Sequence, residues 1–265
     1  MGYDLFHIFE KLGKYPSTLL QVGAGNTTPV LDFLKLGADR IYLFEADPKI
    51  ASNLRDVYAN REEVTVIEGA VSSVHGETAR FYLMNHEASS LYSPNMERLL
   101  NVLPILESKG QIDVETITLD QILNLEISKW VVEPNKIIFA VFDIQGGELG
   151  ALKGAGAVLK LLQGILVEVS TTELYEGQPK FEDLVRFLKL NGFKLVSKRI
   201  QSTKKHGDAL FFRAEGIDMG FRLQMLVEDI HWKIADYKPR SFPSLRNSQL
   251  GRLLLKVIYK GPYLP

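Results

Sequence analysis

The sequence predicts a doubly wound α/β fold, a mostly parallel sheet covered by helices on both faces. Three observations carry that reading. Apolar runs of five to seven residues alternate with segments of helical periodicity. The first run ends on a glycine turn, Gly23-Ala24-Gly25, and the second on an acid, Glu45. The series closes on a β-hairpin pattern, "FKLVSKRI" followed by "DALFFRA".

The elements follow in order. "MGYDLFHIFEKLGKYPS" reads as a short amphipathic helix over 1–17. Thr18–Val22 is a fully apolar strand, and Pro29–Leu36 a helix stopped by Gly37. Arg40–Glu45 is the second strand, and Pro48 opens a helix that runs to about Ala59. Val64–Glu68 is the third strand, and Thr78–Leu83 an extra one. The polar stretch from Met84 to Asp113 is too long for a connector and reads as a flap over the site. Glu115–Thr118 and a short helix lead to the buried strand Lys136–Phe142, and Gln163–Val169 is another strand. Phe181–Leu190 is an amphipathic helix ended by Asn191-Gly192, before the hairpin.

From Gly216 the character changes, with eight Lys/Arg against four Asp/Glu. Three parts are therefore expected: 1–17, a main domain over 18–214, and a helical extension over 215–265. The extension is expected to pack on the domain or on a second copy of the chain, and its basic, aromatic character also suits a membrane surface.

Composition excludes several classes. At 265 residues, 46% hydrophobic and 24% charged, the chain suits a globular domain with a full core. A formal net charge of −1 gives no global drive toward nucleic acid. The absence of cysteine removes disulfides, thiolate nucleophiles and Cys-based zinc sites. The start of the chain lacks the uninterrupted apolar run of a signal peptide, and no run approaches a membrane span. The expected setting is cytoplasmic and reduced.

Four stretches carry chemistry. Gly23 and Gly25 let the backbone approach a ligand, with Gln21 below them and Asn26 at the following helix start. Glu45, about 20 residues after the first glycine, is placed to accept from both hydroxyls of a ribose, with Ala46 beside it. Asp47 reads as a helix cap. In "IEGAVSS", Glu68 could accept from an adenine amino group while Gly69 and Ala70 leave room for the ring. "FDIQGGE" delivers Asp143 to the carboxyl end of a central strand, where open α/β sheets place their ligands, with Gln145 and Glu148 following. The turn lacks the third glycine of a diphosphate fingerprint. An antiparallel strand beside the last parallel one belongs to the methyltransferase version of this sheet and is not needed by a dehydrogenase. Both points favour S-adenosylmethionine (SAM) over NAD.

At this point the sequence resembles the FkbM-type SAM-dependent methyltransferases, from about Leu19 to Arg213. The carriers are "VGAGNT", "LFEADP", "VIEGAVSS", "SSLYSP", "ITLDQIL", "FAVFDIQGGELGALKGAG", "ILVEVS", "LYEGQ", "LKLNGFKLV" and "DALFFR". The resemblance implies a seven-stranded class I methyltransferase sheet of Rossmann-like type and methyl transfer from SAM to a hydroxyl. The implied acceptors are sugars of glycolipids or oligosaccharides, or polyketides. Gly23 and Gly25 would cradle the cofactor, Glu45 its ribose, and Glu68 to Ala70 its adenine. Asp143 would face the reacting hydroxyl, near Gln145, Glu148 and Glu168. The chain departs from the family at Gln21, where an acid is usual, and at Gly25, where Asn is usual. A neutral Gln21 still accepts a hydrogen bond from the cofactor's ammonium group, without the charge assistance that makes such bonds roughly twice as strong.

Asp143 is the preferred base, provided burial or the neighbouring Glu148 and Glu168 raise its pKa from about 3.9. His86 and His206 are alternative bases. His86, Ser89, Ser90 and Tyr92 lie in the flap and are expected to touch the acceptor. Three acids could share Mg²⁺ or Ca²⁺ through oxygen ligands, but no metal is predicted. A small-molecule or saccharide acceptor is expected, with no nucleic acid, no integral membrane association, and a homodimer through the extension as an option. The rival readings are a non-catalytic binding or scaffold protein on the same fold, motivated by Gln21, and an NAD-dependent oxidoreductase.

Overall fold

The computed structural model describes residues 3–26, 28–130, 135–201 and 205–236. Helix α1 (Leu5–Leu12) is capped by Asp4, whose carboxylate accepts from the His7 N–H, and is stopped by Gly13 at φ +65°. Strand β1 (Tyr15–Val22) begins three residues earlier than its apolar run suggests. Then come α2 (Val30–Lys35), β2 (Arg40–Glu45), α3 (Pro48–Val57), β3 (Val64–Glu68) and the two-residue β4 (Ala70–Val71). Strand β5 (Thr78–Met84), α4 (Met96–Val102), β6 (Ser108–Ile117) and α5 (Leu119–Leu123) follow. The second half holds β7 (Lys136–Phe142), α6 (Glu148–Lys153), α7 (Gly156–Leu161), β8 (Gly164–Ser170) and α8 (Phe181–Leu190). Strands β9 (Phe193–Ile200) and β10 (His206–Arg213) and helix α9 (Met219–Asp236) complete it.

Seven strands form the main sheet in the order β3-β2-β1-β7-β8-β10-β9. All neighbours from β3 to β8 are parallel, and β10 runs antiparallel to both β8 and β9. This is the predicted doubly wound sheet with its terminal hairpin. The apolar runs read as they do because both faces are covered, so residues alternate between two cores rather than between core and water. Along β7, Ile138, Ala140 and Phe142 pack with helices α6 to α8, while Ile137, Phe139 and Val141 pack with α1 and α2. Helix α9 joins that second layer through Phe221 and Met225.

The stretch Met84–Asp113 is only partly a flap. It contains α4 and the first half of β6, which pairs antiparallel with β5 in a small sheet of order β4-β6-β5. Ser108, Lys109, Gly110 and Gln111 in that half-strand are all exposed, so no apolar alternation betrays it. The irregular part, 85–95, is tied back by a bridge between Tyr82 and Ser90 and by another between Pro94 and Tyr175. Of the expected extension over 215–265, residues 237–265 lie outside the described residues.

Candidate active site

The carboxyl ends of β1, β2 and β7 open on one edge of the sheet. There the chain after Val22 turns sharply, and Gly23 adopts φ +85°. A Cβ on Gly23 would stand 1.9 Å from the Asp143 carbonyl oxygen, so no other residue fits between the first and fourth parallel strands. An open cleft lies beside it, lined by Gln21, Ala24, Glu45, Ala70 and Asp143 among others.

Glu45 lies across this cleft and is buried. Its Oε2 accepts from the Gly25 N–H at 2.9 Å and its Oε1 from the Asp47 N–H at 2.8 Å. Both oxygens are fixed by backbone, and each keeps a lone pair for a hydroxyl. Burial raises its pKa against the lowering effect of those N–H groups. Asp47 caps α3 through the Lys49 N–H, as expected. Gln21 is buried in the cleft wall. Its Nε2 donates to the Gly23 carbonyl at 3.0 Å, and its Oε1 has no partner among the described residues. A buried acceptor left in that state costs about 1–3 kcal/mol, so the cleft wants a donor at this point.

Ala46, Gly69, Ala70 and Ser89 also line the cleft. Glu68 does not; it points outward to Arg55, with two contacts of 3.0 Å. Asn26 is exposed, and its N–H donates to Glu87 Oε1 at 3.0 Å. Glu87, which the sequence reading passed over, lines the cleft with its side chain against Gly25 and has φ +57°. His86, at φ +53°, lines neither cleft.

The β7–α6 loop, 143–147, forms the wall between this cleft and a second one. Asp143 faces the first. Gln145, Glu148, Glu168, Tyr175 and His206 line the second, which holds about 490 Å³ of empty space. Gln145 adopts φ +55°, a conformation that costs a non-glycine residue on the order of 1 kcal/mol and must be held by its surroundings. It is held four ways. Its Nε2 donates to Asp143 Oδ1 at 2.8 Å and to Glu168 Oε2 at 2.7 Å. Its Oε1 accepts from the Tyr175 hydroxyl at 3.0 Å, and its carbonyl accepts from Ser90 Oγ at 2.7 Å.

Glu148 is buried at the start of α6, and its Oε1 accepts from the Ile144 and Gly146 N–H groups. Glu168 Oε1 lies 3.3 Å from His206 Nδ1, and Asp208 stands opposite Glu168 in the β8–β10 register. Four carboxylates thus share one region. Burial, and then Glu168 and Asp208, push Asp143 well above the usual carboxylate range. Burial raises Glu148 to about 7, and burial together with Glu148 and Asp208 raises Glu168 to about 8. Burial and nearby Glu148 raise the Tyr92 phenol, and burial raises Tyr175.

Of the residues singled out in the sequence, the structure brings Gln21, Gly23, Gly25, Glu45, Ala46, Gly69, Ala70, Ser89 and Asp143 to the first cleft, and Glu148 and Glu168 to the second. Ser90 reaches the cluster through Gln145, and Tyr92 through the field of Glu148. Glu87, Tyr175 and Asp208 were missed. Tyr175 and Asp208 lie inside "LYEGQ" and "DALFFR", so only their roles were hidden.

Residues 21–195 match the sequence model of the Methyltransferase FkbM domain. The chain belongs to the FkbM methyltransferase family. It is a SAM-dependent methyltransferase, and SAM is its cofactor. The matched region runs from the end of β1 to the start of β9 and so contains the glycine turn, Glu45 and the β7–α6 loop. Among curated proteins none matches the chain. Solved structures that resemble it include magnesium protoporphyrin IX methyltransferase of Synechocystis PCC 6803 with bound SAM, at 11% identity and a TM-score of 0.42, over 79% of this chain and 78% of that one. A SAM-dependent methyltransferase of Aquifex aeolicus matches at 10% identity and 0.37, over 80% and 90%. The fibrillarin pre-rRNA processing protein of Methanococcus jannaschii matches at 17% and 0.40, over 76% and 68%.

The first cleft fits SAM on three counts. The Gly23 turn admits backbone approach, Glu45 offers two fixed oxygens for a ribose, and the orphaned Gln21 Oε1 suits an ammonium donor. Among the described residues no three His, Asp or Glu side chains are arranged to hold a metal ion, and no helix is long and apolar enough to cross a membrane.

Proposed function

We propose that this FkbM methyltransferase transfers the methyl group of SAM to a hydroxyl of a small molecule or saccharide, with Asp143 as general base. The observation that carries this reading is the Asp143–Gln145–Glu168 bridge at the wall between the two clefts. The first cleft takes the cofactor and the second the acceptor, so the reacting atoms meet at this wall.

Bound SAM supplies a methyl group activated on a sulfonium. Everything else is the work of the chain. Glu45 and the Gly23 turn fix the cofactor, and Gln21 Oε1 accepts from its ammonium group. Glu87 supplies at the turn the negative charge that Gln21 lacks. Asp143, with its pKa raised, would take the acceptor's hydroxyl proton as the hydroxyl oxygen accepts the methyl group, the cofactor leaving as a neutral thioether. Gln145 holds Asp143 toward the first cleft, and Glu168 with His206 offers a route for that proton to solvent. Apolar Leu174, Phe181 and Leu184 in the second cleft suit the carbon face of a ring. The carboxylates Glu148 and Glu168 in the second cleft do not suit a nucleic-acid backbone as acceptor, and the proposed setting is the cytoplasm.

A screen of sugars, glycosides and polyketides with methyl-labelled SAM tests this. Label passing to a hydroxyl, and lost in Asp143→Asn without loss of SAM binding, supports it. Transfer that survives Asp143→Asn sinks the role of Asp143. SAM binding with no transfer in any screen would favour a scaffold role, the reading that the neutral Gln21 motivates.

A further inference from the structure

We propose that the outer face of helix α9 docks on an anionic lipid surface. The helix has two apolar faces on opposite sides. Phe221 and Met225 turn inward and pack with the sheet layer. Its two central acids also turn inward: Asp229 meets Arg199 at 3.1 Å, and Glu228 meets Lys11, His7 and Arg199 at 2.7 to 2.9 Å. On the other side Met219, Leu223, Leu226, Val227 and Ile230 follow one another at steps of four, three, one and three residues. That spacing forms a single stripe down the helix. All five are 45–75% exposed, and the neighbouring helix α1 presents Phe6 at 47%.

A stripe of this kind on a helix that is already packed exceeds the scatter of single exposed apolar residues. Its charge surroundings choose the occupant. By helical spacing Arg222 and Lys233 flank the stripe on one side. The chain continues from α9 into 237–265, which carries Lys238, Arg240, Arg246, Arg252, Lys256 and Lys260 and no Asp or Glu. A second copy would meet this face with the same cations, while Glu228 and Asp229 are already engaged inward. Anionic headgroups would meet the same cations with opposite charge while the stripe enters the acyl boundary. No described helix is long and apolar enough to span, so the contact is one of lying on the surface.

The test is flotation of the full-length protein with vesicles of phosphatidylcholine alone and of phosphatidylcholine with phosphatidylglycerol. The protein is expected to float with the anionic vesicles, to stay behind with the neutral ones, and to detach as salt rises. Leu226→Asp with Ile230→Asp should lower the partition by roughly a hundredfold, since an apolar contact becomes a buried charge. Arg222→Glu with Lys233→Glu, at two charged side chains with no core role, should lower it by about thirtyfold or more and keeps the test intact if the first variant misfolds. Unchanged SAM-induced shifts in Tm confirm that each variant is folded. No flotation of the wild type, equal flotation on neutral vesicles, or flotation untouched by both variants overturns the proposal. So does a wild-type dimer that either variant splits, which would assign the stripe to a second copy. These outcomes do not depend on methyl transfer.

Discussion

Gln145 Nε2 bridges two carboxylates, 2.8 Å from Asp143 Oδ1 and 2.7 Å from Glu168 Oε2. One amide thus ties the tip of β7 to the tip of β8. Tyr175 fixes which end of that amide faces the acids, since its hydroxyl donates to Oε1. Ser90 ties the same residue's carbonyl to the 85–95 segment. The Asp143 of the first cleft, the wall of the second cleft and the flap are therefore joined through one residue.

Replacing Gln145 by Leu removes the bridge and leaves the Tyr175 hydroxyl and two carboxylates short of a partner. Stability in urea should fall by about 1–3 kcal/mol. In Gln145→Gly the same bonds are lost while the φ +55° strain is relieved, so its loss should be smaller than that of Leu by on the order of 1 kcal/mol. Equal losses would remove the strain from the account.

The raised acids make the fold less stable as pH rises. Glu148 at about 7 and Glu168 at about 8 bind protons in the folded state that the unfolded state, near 4.5, has released. Their contribution is therefore complete below about pH 4.5 and is lost as pH climbs through 7 and 8. Glu168→Gln should be more stable than wild type at pH 8.5 by on the order of 1–3 kcal/mol, and the gain should vanish at pH 4.5. Urea unfolding at the two pH values checks it; a gain at both would point to packing instead.

Cofactor binding should be coupled to those protons. A sulfonium and an ammonium placed near Asp143, Glu148 and Glu168 favour their charged forms. SAM should bind more tightly as pH rises from 6 to 8, with protons released on binding. Calorimetry in two buffers of different ionisation enthalpy measures the release. An affinity flat across that range would place the positive charges away from the acids.

Gln21 and Glu87 should trade charge. Glu87→Gln should weaken SAM about tenfold, the scale of one charge-assisted contact. Adding Gln21→Glu to that variant should restore most of the loss. No loss in Glu87→Gln would confine Glu87 to its bond with the Asn26 N–H.

Much of this arrangement was legible in the letters because two signals are strong. Buried parallel strands announce themselves as apolar runs, and the acids that line the clefts sit where such runs stop, as with Glu45, Asp143 and Glu168. Glu68 misled for the same reason: it ends a run, yet β3 is the edge strand and its tip meets Arg55 rather than the cleft. The first half of β6 was hidden because its residues are exposed and polar. Glu87, Tyr175 and Asp208 depend on how the flap and the hairpin fold back across the sheet edge, a long-range matter that spacing does not encode. The α9 stripe was visible as amphipathicity, but only packing shows that a second apolar face remains after the first is covered.

The most direct measurement is a calorimetric titration of SAM into the wild type and into Glu45→Ala. The account predicts micromolar binding by the wild type and a loss of a hundredfold or more in Glu45→Ala, since two hydrogen bonds to a charged acceptor are worth about 1.5–3 kcal/mol each. Wild-type protein that takes up no SAM, or Glu45→Ala protein that binds as the wild type does, would contradict it.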